Sequence, residues 1–355
     1  MKTILDWLSD RLPIDFVIKF ANKKRVPVFY GSMWYFLGGI SLFLFIIQVI
    51  TGILLILYYQ PGENTSFETV KFIVTKVEFG WLIREIHAWS ANLFVFFVFS
   101  HMFTVFFAKA YRKPREMTWY TGMLLLFMSL VFGFSGYLLP WNELAYSATK
   151  VGTDITGVIP WIGDFILKLA RSGDEVSGAT LTRFYGIHIA LLPISFNIFL
   201  IVHLALIQIQ GMSVPPELEN VPEEKRKSIP FFPDFVVHDL IIWMIVLNII
   251  ALLAVFFPWE LGNKADPLAS APAGIKPEWY FMFMFETLKL IPPHVLFIEG
   301  ELFGILLFMF GGFVWFFVPL FDRKARIGVR SRFWTIFGIG LIIYMVGMTI
   351  WGYIQ

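Results

Sequence analysis

The sequence contains no cysteine among its 355 residues and has few charged residues. Without cysteine, this chain cannot form disulfide bonds, thiolate metal sites, iron–sulfur ligation or thioether links to a cofactor. Charged residues make up 15% of the chain and the net charge is +2, so the sequence predicts no nucleic-acid partner. Six histidines and 13 methionines are the remaining soft metal ligands.

Long apolar runs dominate what the sequence does contain. Hydrophobic residues form 57% of the chain, against about 45–50% in a typical soluble domain. Seven runs have about the 20-residue length that a helix needs to cross the hydrocarbon core. They lie near residues 33–58, 86–108, 118–140, 184–208, 237–257, 301–320 and 333–353. We therefore expect an all-α, polytopic protein in contact with membrane lipid.

The distribution of lysine and arginine orients these spans. Basic residues cluster at 19–25, 109–115, 225–227 and 323–332, in segments that alternate along the chain. The positive-inside rule then places the N-terminus in the cytoplasm, and we expect a multi-pass protein of the bacterial inner membrane. Residues 14–20 are predicted to form an interfacial helix. The predicted units are 1–30 (interfacial segment), 31–211 (four-helix domain), 212–235 (cytoplasmic linker) and 236–355 (three-helix domain).

Four histidines are spaced along two predicted spans. His87 and His101 are fourteen residues apart, and His188 and His203 are fifteen apart. At roughly 100° per residue, each pair lies near one face of its helix and is separated by roughly 21–22 Å. Both spans run in the same direction, so His87 is level with His188 near the outer side and His101 with His203 near the inner side. Facing imidazoles at two depths predict two bis-histidine haem sites.

Two further patterns fit haem binding. Gly38 and Gly52 in the first span, and Gly122 and Gly136 in the third, repeat the fourteen-residue spacing. Glycine allows close approach of a macrocycle, although small residues also mediate ordinary packing of membrane helices. Arg84 and Arg183 precede the outer histidines. Their guanidinium groups can bind haem propionates, or can instead extend to the membrane surface.

Four sequence blocks resemble the signature of the cytochrome b family. They are Gly80-Trp81-Leu82-Ile83-Arg84-Glu85-Ile86-His87, Gly136-Tyr137-Leu138-Leu139-Pro140-Trp141, Leu181-Thr182-Arg183-Phe184-Tyr185-Gly186-Ile187-His188 and Pro277-Glu278-Trp279-Tyr280. The resemblance covers nearly the whole chain. The fifteen-residue histidine spacing is similar to that of the cytochrome of the chloroplast-type b-f complex. The C-terminal three spans resemble that complex's separate second subunit, so both parts are here in one polypeptide. Phe36 stands where that protein has the cysteine of an extra haem, so no covalent extra haem is expected.

The resemblance implies an outer quinol-oxidation site. Pro277, Glu278 and Tyr280 would belong to it, with Glu278 accepting a quinol proton and Tyr146 lining the same pocket. The alternative for Pro277 and Glu278 is an ordinary helix start. For Tyr146 it is a place in an interfacial aromatic belt.

The resemblance also implies an inner quinone-reduction site. His238 and Asp239 are the candidate proton donors, and Gln208 stands where mitochondrial relatives have a histidine near the quinone. A capping Asp beside a solvated His is the alternative.

The resemblance implies a di-haem subunit of a quinol:cytochrome c oxidoreductase. Such a subunit couples electron transfer between two quinone sites to proton translocation. Its partners would be a Rieske iron–sulfur protein and a c-type cytochrome subunit, in a complex expected to be a homodimer. Two alternatives remain from the residues themselves. One is a di-haem anchor of a dehydrogenase, and the other is a transporter without haem, which would have broken helices or inverted repeats.

Overall fold

The chain is built almost entirely of helices. The computed structural model describes residues 4–12, 24–29, 31–214, 218, 221–270, 272, 274–327, 329 and 331–355. The interfacial helix expected at 14–20 and part of the linker at 212–235 lie outside these residues. The described helices are α1 Ile4–Ser9, α2 Phe36–Ile56, α3 Ser66–Lys76, α4 Gly80–Phe107, α5 Glu116–Tyr137, α6 Glu143–Gly157, α7 Gly163–Arg171, α8 Gly178–Gly186, α9 Leu192–Gln210, α10 Val236–Phe256, α11 Trp279–Leu290, α12 Gly300–Phe316, α13 Val318–Phe321, α14 Arg323–Arg326 and α15 Arg332–Ile354.

Each of the seven predicted spans contains a long helix. Six of these helices are long and apolar enough to cross a membrane, whereas α12 has only 17 residues and falls short of that length. The total of seven spans therefore stays a prediction. The second and fourth spans begin about six residues earlier than predicted, because the apolar pattern starts later than the helical backbone.

The first four long helices form a bundle. Helix α2 packs along α4, α5 packs along α9, and α4 also contacts α5. Helix α10 covers α2 and α4, while α11 packs on α15. The bundle core is apolar and is shared by these helices; its buried members are Ile40, Leu44, Phe45, Phe94, Leu125, Phe196, Val246 and Ile250.

The C-terminal helices are joined to the bundle by buried polar contacts. The hydroxyl of Tyr111, after α4, donates to Asp322 Oδ2 at 2.7 Å, and Lys109 Nζ lies 3.8 Å from the same atom. The indole of Trp119 on α5 donates to the Phe316 carbonyl at 2.9 Å. Near this joint, strand β1 (Arg25–Pro27) pairs antiparallel with β2 (Ser228–Pro230), with Val26 opposite Ile229.

A short π-helical segment, Ile187–Leu191, interrupts the fourth span between α8 and α9. A π turn closes with an i→i+5 hydrogen bond, so it takes up one more residue than an α turn. His188 lies within this segment. The fifteen residues from His188 to His203 therefore complete about the same rotation as the fourteen residues from His87 to His101 in α4. With the bulge, the two histidines are offset by about 40°, as in α4, whereas fifteen residues of a regular α-helix would end about 60° past a full turn.

Candidate functional site

The four histidines form two facing pairs inside the bundle. His87 and His101 lie on α4, and the other two lie on the span that contains α9. His87 and His188 are close enough to interact electrostatically, and so are His101 and His203. The two helices that carry these residues, α4 and α9, are not among the helix pairs with extensive backbone contact. The imidazoles therefore face each other across a gap at two levels, as the spacing predicts.

Hydroxyl groups fix the tautomer of three of these rings. Thr51 Oγ1 lies 2.8 Å from His87 Nδ1, Thr121 Oγ1 lies 3.0 Å from His203 Nδ1, and Ser135 Oγ lies 3.1 Å from His188 Nδ1. Each hydroxyl also donates to a carbonyl of its own helix. Its oxygen is therefore left to accept a proton from Nδ1. The lone pair of each ring then resides on Nε2, the form in which a neutral histidine binds a metal.

His101 differs from the other three histidines. Its Nδ1 is buried and has no hydrogen-bond partner among the described residues. Each of the three hydroxyls immediately precedes a glycine, in Thr51-Gly52, Thr121-Gly122 and Ser135-Gly136. The corresponding residue before Gly38 is Leu37, which cannot accept a hydrogen bond.

The four predicted glycines each lie against one of these imidazoles. A Cβ added to Gly38 would lie 3.2 Å from His101 Cε1, and one added to Gly122 would lie 3.1 Å from His203 Cε1. The corresponding distance is 3.5 Å from Gly52 to His87 and 2.6 Å from Gly136 to His188. The glycines thus leave space for the histidine rings themselves. The approach of a macrocycle to these glycines stays a prediction.

A layer of phenylalanine rings separates the two histidine levels. Phe45 lies seven residues from both Gly38 and Gly52, and Phe94 lies seven residues from both His87 and His101. Phe196 lies midway between the two histidines of the fourth span. All three are buried. The ring centroids of Phe45 and Phe196 are 4.4 Å apart, and those of Phe94 and Phe196 are 6.0 Å apart. These rings therefore form a buried layer between the two histidine levels.

The two arginines before the outer histidines contact neighbouring loops. Arg84 donates to Glu85 Oε1 at 2.7 Å and to the Trp259 carbonyl at 2.6 Å. Arg183 donates to the Leu169 carbonyl at the end of α7. Both guanidinium groups are thus held at the His87 end of the bundle. Their binding of propionates stays a prediction.

Glu278 lies at the start of α11 and is half-buried. It occupies the N-cap position of this helix, and its side chain makes no capping hydrogen bond. Burial raises the pKa of Glu278 to about 7. Tyr280, two residues on, is buried beside Gly133, and burial together with the nearby Glu278 raises the pKa of its phenol. A carboxyl group that titrates near neutral pH is suited to proton exchange.

The tyrosines near Glu278 are not the one that the sequence predicts. Tyr137 and Tyr353 interact electrostatically with Glu278. Tyr146 instead donates to the Val176 carbonyl at 3.2 Å and packs on Trp141, and none of its hydrogen bonds or ring contacts reaches Glu278. Sequence reasoning missed Tyr353 because it lies far along the chain, whereas the Gly136-Tyr137 block was a signal that pointed to Tyr137.

An apolar cavity of about 1060 Å³ lies beside Tyr280. Trp279 and Tyr280 line one part of it, and residues of α4 and α15 form most of the wall. The indole of Trp279 donates to Asn92 Oδ1 at 2.9 Å and so ties α11 to α4. The cavity has the size and the apolar lining of a site for a hydrophobic ligand.

The two candidate proton donors of the inner site point in different directions. Asp239, in the first turn of α10, lies against Gly39 of α2, where its Oδ1 is buried, and its carboxyl group interacts with the side chain of Trp243. His238 is exposed, and its Nδ1 lies 2.7 Å from the Asp234 carbonyl. Adjacent helical residues diverge by roughly 100°, so the structure brings only Asp239 to the bundle.

Gln208 has a basic partner that sequence reasoning missed. Lys24 Nζ donates to Gln208 Oε1 at 2.5 Å and lies 4.9 Å from the centre of the Phe231 ring. Phe231 stacks on Phe235, which stacks on Phe36 near Gly39. These rings connect Gln208 and Lys24 with the region of Asp239. The β1–β2 pairing brings Lys24 here, across a sequence separation that no local pattern reveals.

Comparison with known proteins identifies the family. The family model described as Cytochrome b/b6/petB matches residues 23–211, and the model described as Cytochrome b(C-terminal)/b6/petD matches residues 264–355. The chain is 46% identical to a cytochrome bc complex cytochrome b subunit of Chlorobaculum thiosulfatiphilum over 344 residues, which cover 97% of this chain and 79% of that protein.

Two further similarities agree with this. The chain is 41% identical over 215 residues to cytochrome b6 of Synechococcus elongatus, covering 61% of this chain and all of that protein. It superposes on a chain of a solved structure named "Hyperthermophilic respiratory Complex III" with a TM-score of 0.86 and 29% identity, covering 99% of this chain and 91% of the other. The predicted resemblance is confirmed over the predicted alternatives: this chain belongs to the cytochrome b/b6 family and contains both the N-terminal and the C-terminal part in one polypeptide.

Proposed function

We propose that this chain is the di-haem cytochrome b subunit of a bc-type quinol:cytochrome c oxidoreductase. It would oxidise quinol at an outer site and reduce quinone at an inner site, with coupled proton translocation. One observation carries the proposal: two facing pairs of histidines, in which three Nδ1 atoms are hydrogen-bonded so that Nε2 is left for a metal. The similar Chlorobaculum thiosulfatiphilum protein is named as a subunit of a cytochrome bc complex, which supports it.

The residues present fit two non-covalent b haems. Among the described residues, no group of three or more histidine, cysteine, aspartate or glutamate side chains could hold a bare metal ion. Two imidazoles suffice for a haem, since the porphyrin provides the remaining ligands of the iron. His87 and His188 would hold the outer haem, and His101 and His203 the inner one. When bound, each haem supplies a one-electron carrier. Arg84 and Arg183 would bind the outer propionates.

At the outer site, Glu278 would accept a proton from quinol. Its pKa of about 7 leaves it partly ionised at neutral pH, so that it can both take up and release a proton. Pro277 precedes the N-cap and sets the start of α11, while Tyr280 would line the quinol pocket. Tyr146 remains a candidate lining residue, and the contacts described here favour Tyr137 and Tyr353 beside Glu278.

At the inner site, Asp239 would deliver a proton to the reduced quinone. Its Oδ1 is buried against Gly39 of α2, and its carboxyl group also interacts with the side chain of Trp243. Lys24 and Gln208 would provide a second polar contact, and the stacked rings of Phe36 and Phe235 an apolar face for the quinone ring. His238 would act as a surface relay for protons from the cytoplasm rather than as a direct contact.

Other chains would complete the reaction. This chain has no cysteine, so an iron–sulfur acceptor for the first electron must lie on a partner. We propose a Rieske protein and a c-type cytochrome subunit as those partners, a homodimeric complex, and a place in the bacterial inner membrane with the N-terminus in the cytoplasm. Addition of a quinol to membranes that contain the chain should produce b-type absorbance. A chain that shows no such absorbance after strong reduction would contradict the proposal.

Replacing Gly136 by alanine should remove most of the outer haem. The added Cβ would lie 2.6 Å from His188 Cε1, and such overpacking costs roughly 1–3 kcal/mol. Gly186→Ala is the matched control, because nothing lies within 4 Å of a Cβ at that position. The measurement is haem absorbance per chain. Equal haem content in the two variants would refute the assigned role of Gly136.

Deleting Ile189 should leave both haems bound. The deletion removes one residue from the π segment, which can close as an α turn while His188 keeps its position relative to His203. Deleting the exposed Phe96 of α4 shortens the other histidine spacing to thirteen, which rotates one ligand by about 100°. We expect that variant to lose at least one haem. The idea fails if the Ile189 deletion loses as much haem as the Phe96 deletion.

A further inference from the structure

The support of the four imidazoles is asymmetric. Three of them have a hydroxyl acceptor for Nδ1, supplied by Thr51, Ser135 and Thr121. The fourth, His101, has a buried Nδ1 without a partner among the described residues. Both proposed outer ligands therefore have this support, whereas only one of the two proposed inner ligands does.

The cause lies in a single position of the repeated pattern. The residue before the facing glycine is Thr or Ser at three positions, where its hydroxyl contacts the imidazole, and it is Leu37 at the fourth. Leu37 packs against the bundle core near Ile40 and Leu44. Its glycine, Gly38, is the third residue of α2 and is preceded by the 3₁₀ turn Ser32–Tyr35. His203 and His188 have carbonyls one helical turn before their glycines, at Thr118 and Phe132, as additional acceptors. The equivalent position before Gly38 falls in the 3₁₀ turn.

A hydrogen bond at Nδ1 changes the ligand strength of the same ring. When Nδ1–H donates to an oxygen, electron density at Nε2 increases and the ring becomes a stronger donor to the metal. A stronger donor stabilises the oxidised, more positive iron and so lowers its reduction potential. Loss of the bond has the opposite effect.

We propose that Leu37 is a tuning residue: by withholding a hydrogen-bond acceptor from His101, it raises the reduction potential of the inner haem above the value that a Thr or Ser at position 37 would give. The inference rests on the proposed haem sites. Leu37 acts through His101 and touches no substrate.

The test compares Leu37→Thr with Leu37→Val in the intact complex. The two side chains have nearly the same shape, so their difference isolates the hydroxyl. We expect the inner haem of the Thr variant to be harder to reduce than that of the Val variant by about tenfold in its one-electron equilibrium, roughly 59 mV. The outer haem should have the same potential in both variants. Spectroelectrochemical titration measures each haem separately.

A second pair of variants keeps the proposal testable if Thr at position 37 disturbs folding. Thr121→Val removes the hydroxyl from His203 and should raise the potential of the inner haem only. Thr51→Val removes the hydroxyl from His87 and should raise the potential of the outer haem only. Two bound haems with unchanged potentials in all these variants would overturn the role of Leu37. A wild-type chain without b haems would instead overturn the proposed function.

Discussion

Replacing His101 by leucine is expected to remove the inner haem and to leave the outer haem in place. The imidazole of His101 faces His203 at one level of the bundle, while His87 and His188 face each other at the other level. The buried layer of Phe45, Phe94 and Phe196 separates the two levels, so the loss of one ligand need not disturb the other pair. A redox titration of the purified variant should show one b-type component in place of two.

His294→Leu provides the control for this experiment. His294 is exposed, lies in the short hairpin before α12 and has no proposed role. It tests whether removal of any histidine lowers the haem content. Two intact b haems in His101→Leu would contradict the assignment, as would an equal loss of haem in the control.

Replacing Glu278 by glutamine should slow quinol-driven haem reduction by about 100-fold or more, the usual contribution of a general base, without loss of haem. Glutamine keeps the shape of the side chain but cannot accept a proton. Among the described residues, no hydrogen bond or electrostatic interaction joins Glu278 to any of the four histidines, so haem binding should be retained. The rate is measured by stopped-flow reduction of the haems after addition of quinol.

The pH dependence gives this experiment a second readout. Because burial raises the pKa of Glu278 to about 7, the wild-type carboxyl is mostly protonated below pH 7 and cannot act as a base there. The wild-type rate should therefore rise with pH through about 7, and the Glu278→Gln rate should not. Glu260→Gln, at an exposed outer position, should match the wild type. A Glu278→Gln variant with the wild-type rate at every pH would show that this carboxyl accepts no proton.

Periodicity was sufficient to predict the bundle and its histidine pairs. The positions of His87, His101, Gly38 and Gly52 follow directly from helical geometry, and the structure brings them together. The fifteen-residue spacing of His188 and His203 was likewise predicted to place both rings near one face, but the π segment between them was not predicted. This π segment depends on the packing around it and has no simple sequence signature.

Contacts between distant parts of the chain were the least predictable. Tyr353 lies near Glu278 because α15 packs on α11, and Lys24 reaches Gln208 because β1 pairs with β2. Neither follows from a local pattern. The unpartnered Nδ1 of His101 also required the structure, since Leu37 becomes informative only when Thr51, Thr121 and Ser135 are seen beside the other three rings.

The number of b haems bound by the purified wild-type chain tests the central claim most directly. Haem extraction with acidified organic solvent, together with a chain quantification, gives the stoichiometry and shows whether any haem is covalently attached. We predict two extractable haems for each chain and low-spin spectra typical of two imidazole ligands. A chain that binds no haem, or only one haem, would contradict the account.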